Sequence, residues 1–76
     1  MIYTPELVEE SNILARYNLE STRQGLKVHS SAESDAIAAT ERLYAKGLVS
    51  QKDGGFLTSR GIVAAEHAQK LLHILS

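Results

Sequence analysis

The chain has 76 residues and a formal net charge of −1, with 8 lysines and arginines against 9 aspartates and glutamates. This length predicts one domain over residues 1–76, and an apolar fraction of 43% is typical of a globular protein. The absence of cysteine excludes disulfides and thiolate metal sites, and the near-neutral charge argues against strong non-specific affinity for nucleic acid.

The first residues lack the basic start and apolar core of a signal peptide. No apolar run approaches the roughly 20 residues that a membrane-spanning helix needs. We therefore expect a cytoplasmic protein without a membrane partner. A domain of this size buries only about 60% of the surface of its unfolded chain, and dimerisation is one common way of adding stability.

A first helix is predicted over residues 5–17. Thr4 suits the N-cap position, Pro5 suits the first helical position, and acidic residues follow in the first turns. Glu6 and Glu10 are expected one turn apart on the exposed side. The apolar residues expected near one face are Leu7, Val8, Ile13, Leu14 and Tyr17.

Residues 18–25 are compatible with a loop or with one short helical turn that ends at Gly25. The next four residues, 26–29, alternate apolar and polar side chains, which predicts a short strand half buried through Leu26 and Val28. This strand is a candidate to pair with a later hairpin as a third strand.

A second helix is predicted to end at about Lys46, because a cation occupies its last turn and Gly47 follows directly. Its start is assigned near Ser30, which has the capping-box spacing with Glu33. Two carboxylates in its first turns suit the helix dipole but repel phosphates. The residues predicted on its polar face are Glu33, Thr40, Glu41, Arg42 and Lys46.

Two short strands are predicted over residues 48–51 and 56–58, joined by a tight turn at Asp53-Gly54. Thr58 is then suited to cap a last helix over residues 59–75. This helix is apolar on several sides, which is typical of a helix that packs through more than one face and suggests a partner helix.

The order helix, glycine, strand, Asp-Gly turn and strand over residues 43–58 resembles the wing of winged helix-turn-helix proteins. The resemblance implies that the helix enters a DNA groove while the hairpin flanks it. The predicted fold is therefore α+β and winged-helix-like, with three main helices, a short antiparallel sheet and a wing hairpin over residues 48–58. A complete motif has a further helix before the recognition helix, and only residues 18–25 are available for it.

Nearly the whole chain, from Thr4 to Leu75, also resembles a small family of uncharacterised proteobacterial proteins. The segments that carry this resemblance are residues 4–7, 24–29, 46–49, 53–58 and 64–68. Such proteins are sometimes labelled as DNA-binding proteins or transcriptional regulators. The resemblance therefore implies DNA binding and the regulation of transcription in a bacterial cell.

The leading functional hypothesis is a DNA-binding regulator of low intrinsic affinity, with double-stranded DNA as its partner. The residues predicted to contact DNA are Thr40 and Arg42 on the second helix, Lys46 and Lys52 beside the wing, and Arg60 at the start of the last helix. The alternative is a protein-interaction module that binds itself or another protein through the last helix and does not bind nucleic acid.

A polar cluster of Arg23, Gln24, Lys27 and His29 surrounds the predicted first strand. It either binds a phosphate or an acidic partner, or it is an ordinary solvated face. The two histidines of the last helix are six residues apart, so they point to different sides and do not form a metal site. Since no nucleophile elbow or phosphate-binding loop is present either, we expect neither an enzyme nor a cofactor.

Overall fold

The computed structural model describes residues 2–21, 24–29 and 32–76. These residues fold into three helices and one three-stranded antiparallel sheet, so the predicted α+β class is confirmed. In chain order the elements are α1 Pro5–Ala15, β1 Leu26–Lys27, α2 Ser34–Ala45, β2 Val49–Gln51, β3 Gly54–Leu57 and α3 Ser59–Leu75.

The start of α1 has the predicted cap. The Thr4 hydroxyl accepts a hydrogen bond from the Leu7 backbone N–H at 3.1 Å, and Pro5 occupies the first turn. The helix ends at Ala15, two residues earlier than predicted. Its inner face also differs from the prediction, because Glu10 is buried whereas Leu7 and Val8 are exposed.

The described residues after α1 form a turn. The Asn18 side-chain oxygen accepts from the Glu20 N–H at 3.0 Å, and the Asn18 carbonyl accepts from the Ser21 N–H at 3.3 Å. An asparagine side chain that bonds to the backbone two residues on favours a turn over a helix. Thr22 and Arg23 lie outside the described residues.

Helix α2 begins after Glu33, whose side chain makes no capping hydrogen bond, and the predicted cap Ser30 lies outside the described residues. Its C-terminal end matches the prediction to within one residue. Gly47 has a φ of 77°, and the N–H groups of Gly47 and Leu48 donate to the carbonyls of Tyr44 and Leu43 at 3.0 Å. This pair of hydrogen bonds is a Schellman motif, which favours glycine because of the positive φ.

The hairpin turn lies one residue before its predicted position. Gln51 pairs with Gly54, so the turn residues are Lys52 and Asp53, and Gly54 begins β3. Three residue steps along β3 oppose two along β2, which defines a bulge. Gly54 and Gly55 have φ values of 121° and 73°, so both glycines are used in the bulged strand instead of the turn.

The sheet order is β1-β3-β2, so the first strand pairs with the hairpin as predicted. Leu26 opposes Gly55 and Lys27 opposes Gly54. The Val28 N–H extends this pairing by donating to the Asp53 carbonyl at 2.8 Å. This hydrogen bond holds the hairpin turn beside the end of β1.

Helix α3 has the predicted bounds, and its N-cap is the predicted Thr58, whose hydroxyl accepts from the Gly61 N–H at 3.1 Å. None of the helices in the described ranges is long and apolar enough to cross a membrane. All three helices and all three strands contribute to one core or pack against it. Its buried apolar residues are Ile13, Leu14, Tyr17, Val28, Ala39, Leu43, Val49 and Ala65.

Gly61 allows the first turn of α3 to lie directly against Leu48, the residue before β2. A Cβ at this position would collide with the Leu48 carbonyl oxygen. We therefore expect Gly61→Ala to destabilise the protein by about 1–3 kcal/mol, although alanine is the better helix former. Urea unfolding of both proteins, followed by circular dichroism, measures this difference.

Ser59→Ala is the matched control, because Ser59 is exposed in the same turn. A Gly61→Ala variant as stable as the wild type would show that α3 can move away from Leu48 without a loss of stability.

Candidate nucleic-acid interface

An open cleft of about 390 Å³ lies between α2 and the hairpin turn. Its position follows from the pairing of β1 with β3, which brings the turn beside the residues that follow β1. The lining residues are Lys27, Val28, His29, Ile37, Thr40, Glu41, Lys52 and Asp53. The helix and the hairpin that border this cleft are the two elements of the predicted wing arrangement.

Three basic side chains line this cleft, and all three residues are exposed: Lys27, His29 and Lys52. Two acids, Glu41 and Asp53, line it as well. Lys52 was a predicted DNA contact, whereas Lys27 and His29 belonged to the predicted polar cluster around the first strand. The fold places residues from both predicted sets in one cleft, although the sequence analysis had considered the two sets separately.

Thr40 does not lie on the polar surface of α2. It is 0% exposed, and its hydroxyl donates to the Ala36 carbonyl at 2.8 Å, within the same helix. The prediction that Thr40 lies on the exposed polar face of α2 is therefore wrong, and its side chain offers no exposed surface to DNA. Assignment to the polar face followed from its residue type, but threonine can satisfy its hydroxyl on the preceding helical turn and be buried.

Arg42 and Lys46 both bind the carboxylate of Glu10, which α1 contributes. Arg42 Nε donates to Glu10 Oε2 at 2.9 Å, and Lys46 Nζ donates to Glu10 Oε1. Arg42 also donates to the Glu6 carbonyl at 3.2 Å. These two predicted DNA contacts therefore stabilise the packing of α1 on α2, and one carboxylate offsets part of their charge.

Glu10 is 5% exposed, so its charge depends on these two partners. Burial by itself raises the pKa of the Glu10 carboxyl, but the hydrogen bonds and charges of Lys46 and Arg42 outweigh it. The pKa of Glu10 is consequently lowered from its usual value of 4.5.

Arg60 lies in the exposed first turn of α3 and does not line the cleft. The five residues predicted to contact DNA therefore do not form one site. Thr40 is buried, and Arg42 and Lys46 bind Glu10. Of the five predicted residues, only Lys52 is an exposed basic residue that lines the cleft.

Tyr17 fixes the hairpin against α1. Its hydroxyl donates to the Gly55 carbonyl at 3.2 Å, and the residue is buried in the core. Burial, and secondarily the charge of Asp53, raises the pKa of the Tyr17 hydroxyl. The hydroxyl therefore stays protonated and can donate this hydrogen bond well above neutral pH.

A second candidate surface is an apolar groove of about 210 Å³ between α1 and α3, which we call the α1–α3 groove. It is lined by Tyr3, Val8, Ser11, Asn12, Ala15, Ala68, Leu71, Leu72 and Leu75. The wide apolar band of α3 predicted that this helix packs against a partner. It missed Tyr3 and Val8, because Val8 was assigned to the core and Tyr3 to no face.

Within the described ranges, no group of three or more histidine, cysteine or acidic residues is placed to hold a metal ion. The candidate sites are thus the mixed-charge cleft and the α1–α3 groove.

Fold and surfaces together define a small α+β domain with a partly basic cleft beside a β-hairpin. The chain belongs to a protein family described as "Family of unknown function (DUF5669)", whose model matches residues 1–76. No curated protein and no solved structure matches the chain.

Removing the charge of Glu10 tests its interaction with Arg42 and Lys46. We expect Glu10→Gln to lower the free energy of unfolding at pH 7 by about 1–2 kcal/mol, since a buried amide replaces the charged acceptor of two hydrogen bonds. Because the folded-state pKa is lowered, the contribution is fully present above pH 4.5 and is lost as the pH falls through the folded-state pKa. Urea unfolding across pH 3–7 measures it.

The control is Glu66→Gln, which removes one carboxylate from an exposed position of α3. A difference between wild type and Glu10→Gln that does not shrink toward pH 3 would contradict the assignment of the effect to the Glu10 charge.

Proposed function

We propose that this protein binds double-stranded DNA weakly, through the cleft between α2 and the hairpin turn. The observation that carries the proposal is the convergence of Lys27, His29 and Lys52 on that cleft. These residues come from two distant parts of the chain, and only the β1–β3 pairing brings them together. Exposed lysines next to a hairpin turn are suited to phosphate contacts that position a protein without reading sequence.

The arrangement of α2 and the hairpin supports the same proposal. Helix α2 passes through Gly47 directly into β2, so the helix and the hairpin turn border one cleft. In winged-helix proteins, the helix before the wing approaches the major groove. We propose that α2 and the hairpin are used in this way, and that DNA binding serves transcriptional regulation.

The charges of the cleft set the expected strength of binding. Glu41 and Asp53 oppose Lys27 and Lys52, and Glu10 holds the two cations near the end of α2. About two or three phosphate contacts give a slope of log affinity against log salt of roughly −2 to −3. Binding of this kind is weak at physiological salt and measurable at low salt.

Replacing both lysines of the cleft tests the proposal. We expect wild-type protein to bind a mixed-sequence 20-base-pair duplex at about 50 mM salt and to bind several-fold more weakly at about 200 mM salt. Lys27→Ala/Lys52→Ala should lower the affinity at low salt and flatten the salt slope by about 2, because each lost phosphate contact removes about one unit. Fluorescence anisotropy measures both quantities.

Lys70→Ala is the matched control, since Lys70 is exposed on α3 and does not line the cleft. Loss of DNA binding in this variant would indicate that binding depends on the overall charge of the protein and not on the cleft. Wild-type protein that does not bind DNA at 50 mM salt would overturn the proposal.

A second function is favoured by a separate observation, the α1–α3 groove. Among the described residues, 11 large apolar residues are exposed, and all but Tyr44 and Phe56 belong to α3, to α1 or to the residues just before α1. Apolar patches of this kind mark interaction surfaces in small domains. We propose that the groove makes the protein an interaction module, either together with DNA binding or in its place.

A further inference from the structure

We propose that the α1–α3 groove is the contact surface of a weak two-fold homodimer, in which each copy inserts the last turns of its α3 into the groove of the other. This inference rests on the proposed interaction function and names its partner, a second copy of this chain. It follows from the geometry of α3, from the charge of the groove and from its area.

Helices α1 and α3 run antiparallel and leave the groove between them. The Gln69 side chain donates to the carbonyls of Leu14 and Tyr17, at 3.2 and 2.7 Å, near the C-terminal end of α1. Tyr3 at the other end lines the groove together with Leu75. The end of α3 therefore lies beside the start of α1.

The last two turns of α3 are not covered by the rest of the described chain. Every residue from 70 to 76 is exposed, and Leu72 and Leu75 are 57% and 75% exposed. These leucines lie three residues apart, so they form a stripe on one side of the helix. That stripe needs an apolar partner, and it is itself one wall of the groove.

A two-fold dimer requires one patch that is complementary to itself. The α1–α3 groove meets this requirement, because it contains both a helical leucine stripe and a cavity bordered by a second helix. A two-fold axis through the patch places the stripe of each copy on the groove of the other. Both copies then bury the same side chains.

None of the described residues that line the groove is charged. A second copy therefore brings no like charges together in the contact, and the net charge of −1 per chain gives little long-range repulsion. A highly charged partner, by contrast, would find no opposite charge in the lining and would lose hydration without compensation.

A contact of ordinary extent for a protein of this size would make the dimer a weak one. The surface of this chain is 5425 Å², and a contact over a tenth of it covers about 540 Å² per copy, or roughly 1,080 Å² in total. An interface below about 1,200 Å² belongs to the weak and transient class.

The exposed apolar side chains of the groove supply the apolar share of such a contact. Tyr3, Val8, Leu71, Leu72 and Leu75 are 54%, 43%, 44%, 57% and 75% exposed. A fully exposed tyrosine side chain has an accessible area of about 200 Å², and an aliphatic side chain has about 100 Å². The five side chains together therefore expose on the order of 300 Å². That is somewhat more than half of the expected contact, as is usual in protein interfaces.

Sedimentation equilibrium of the full chain, between about 5 and 500 µM, tests the dimer. We expect wild-type protein to pass from monomer to dimer in this range, as a weak interface implies. Leu72→Gln/Leu75→Gln should weaken the dimer at least tenfold, because both leucines are lost from each side of the contact. Both positions are exposed in the monomer, so circular dichroism should show an unchanged fold.

Val63→Gln is the matched control, since Val63 is 53% exposed on the same helix and does not line the groove. It should dimerise as the wild type does. A wild-type chain that stays monomeric at 500 µM would overturn the proposal, as would a double variant that dimerises normally. The DNA-binding assay tests a separate proposal. If the protein stays monomeric but binds duplex DNA, only the dimer proposal fails. If it dimerises but does not bind DNA, only the DNA-binding proposal fails.

Discussion

The junction at Gly47 and Leu48 positions most of the remaining structure. Gly47 ends α2 with positive φ, and its carbonyl accepts the Thr58 hydroxyl at 2.6 Å. The Leu48 carbonyl accepts the Thr58 N–H at 3.1 Å and lies against Gly61 of α3. One short segment therefore determines where α2 ends, where the hairpin begins and how closely α3 approaches. A side chain at Gly61, or a residue at Gly47 that resists positive φ, would disturb all three relationships.

The ion pairs between α1 and α2 limit which basic side chains are free to bind a ligand at the surface. Helix α2 carries two of the cations that would suit a DNA-contacting helix, but both bind Glu10 on α1. The ion pairs hold α1 on α2, and they leave the cleft at the hairpin turn as the partly basic surface. Within the described part of the chain, the cleft and the α1–α3 groove share no lining residue, so they are separate surfaces.

Local signals predicted the elements well where one residue type decides the backbone. Thr4 and Thr58 begin helices because their hydroxyls accept orphan backbone N–H groups, and Gly47 ends one because it adopts positive φ. The hairpin turn was predicted one residue late. Asp53-Gly54 is a good turn sequence, but pairing of Gly54 with both neighbouring strands draws that glycine into β3.

The sequence by itself determined the starts of α1 and α3, the end of α2, the presence of the hairpin and the apolar band of α3, because each depends on neighbours within a few residues. Only the tertiary structure decided which side chains are available at the surface. It buried Thr40 and Glu10, paired Arg42 with Glu10 across 32 positions of the chain, and brought Lys27 beside Lys52. The physical reason is that the burial and charge state of a side chain depend on the element packed against it, and helical or strand periodicity does not specify that element.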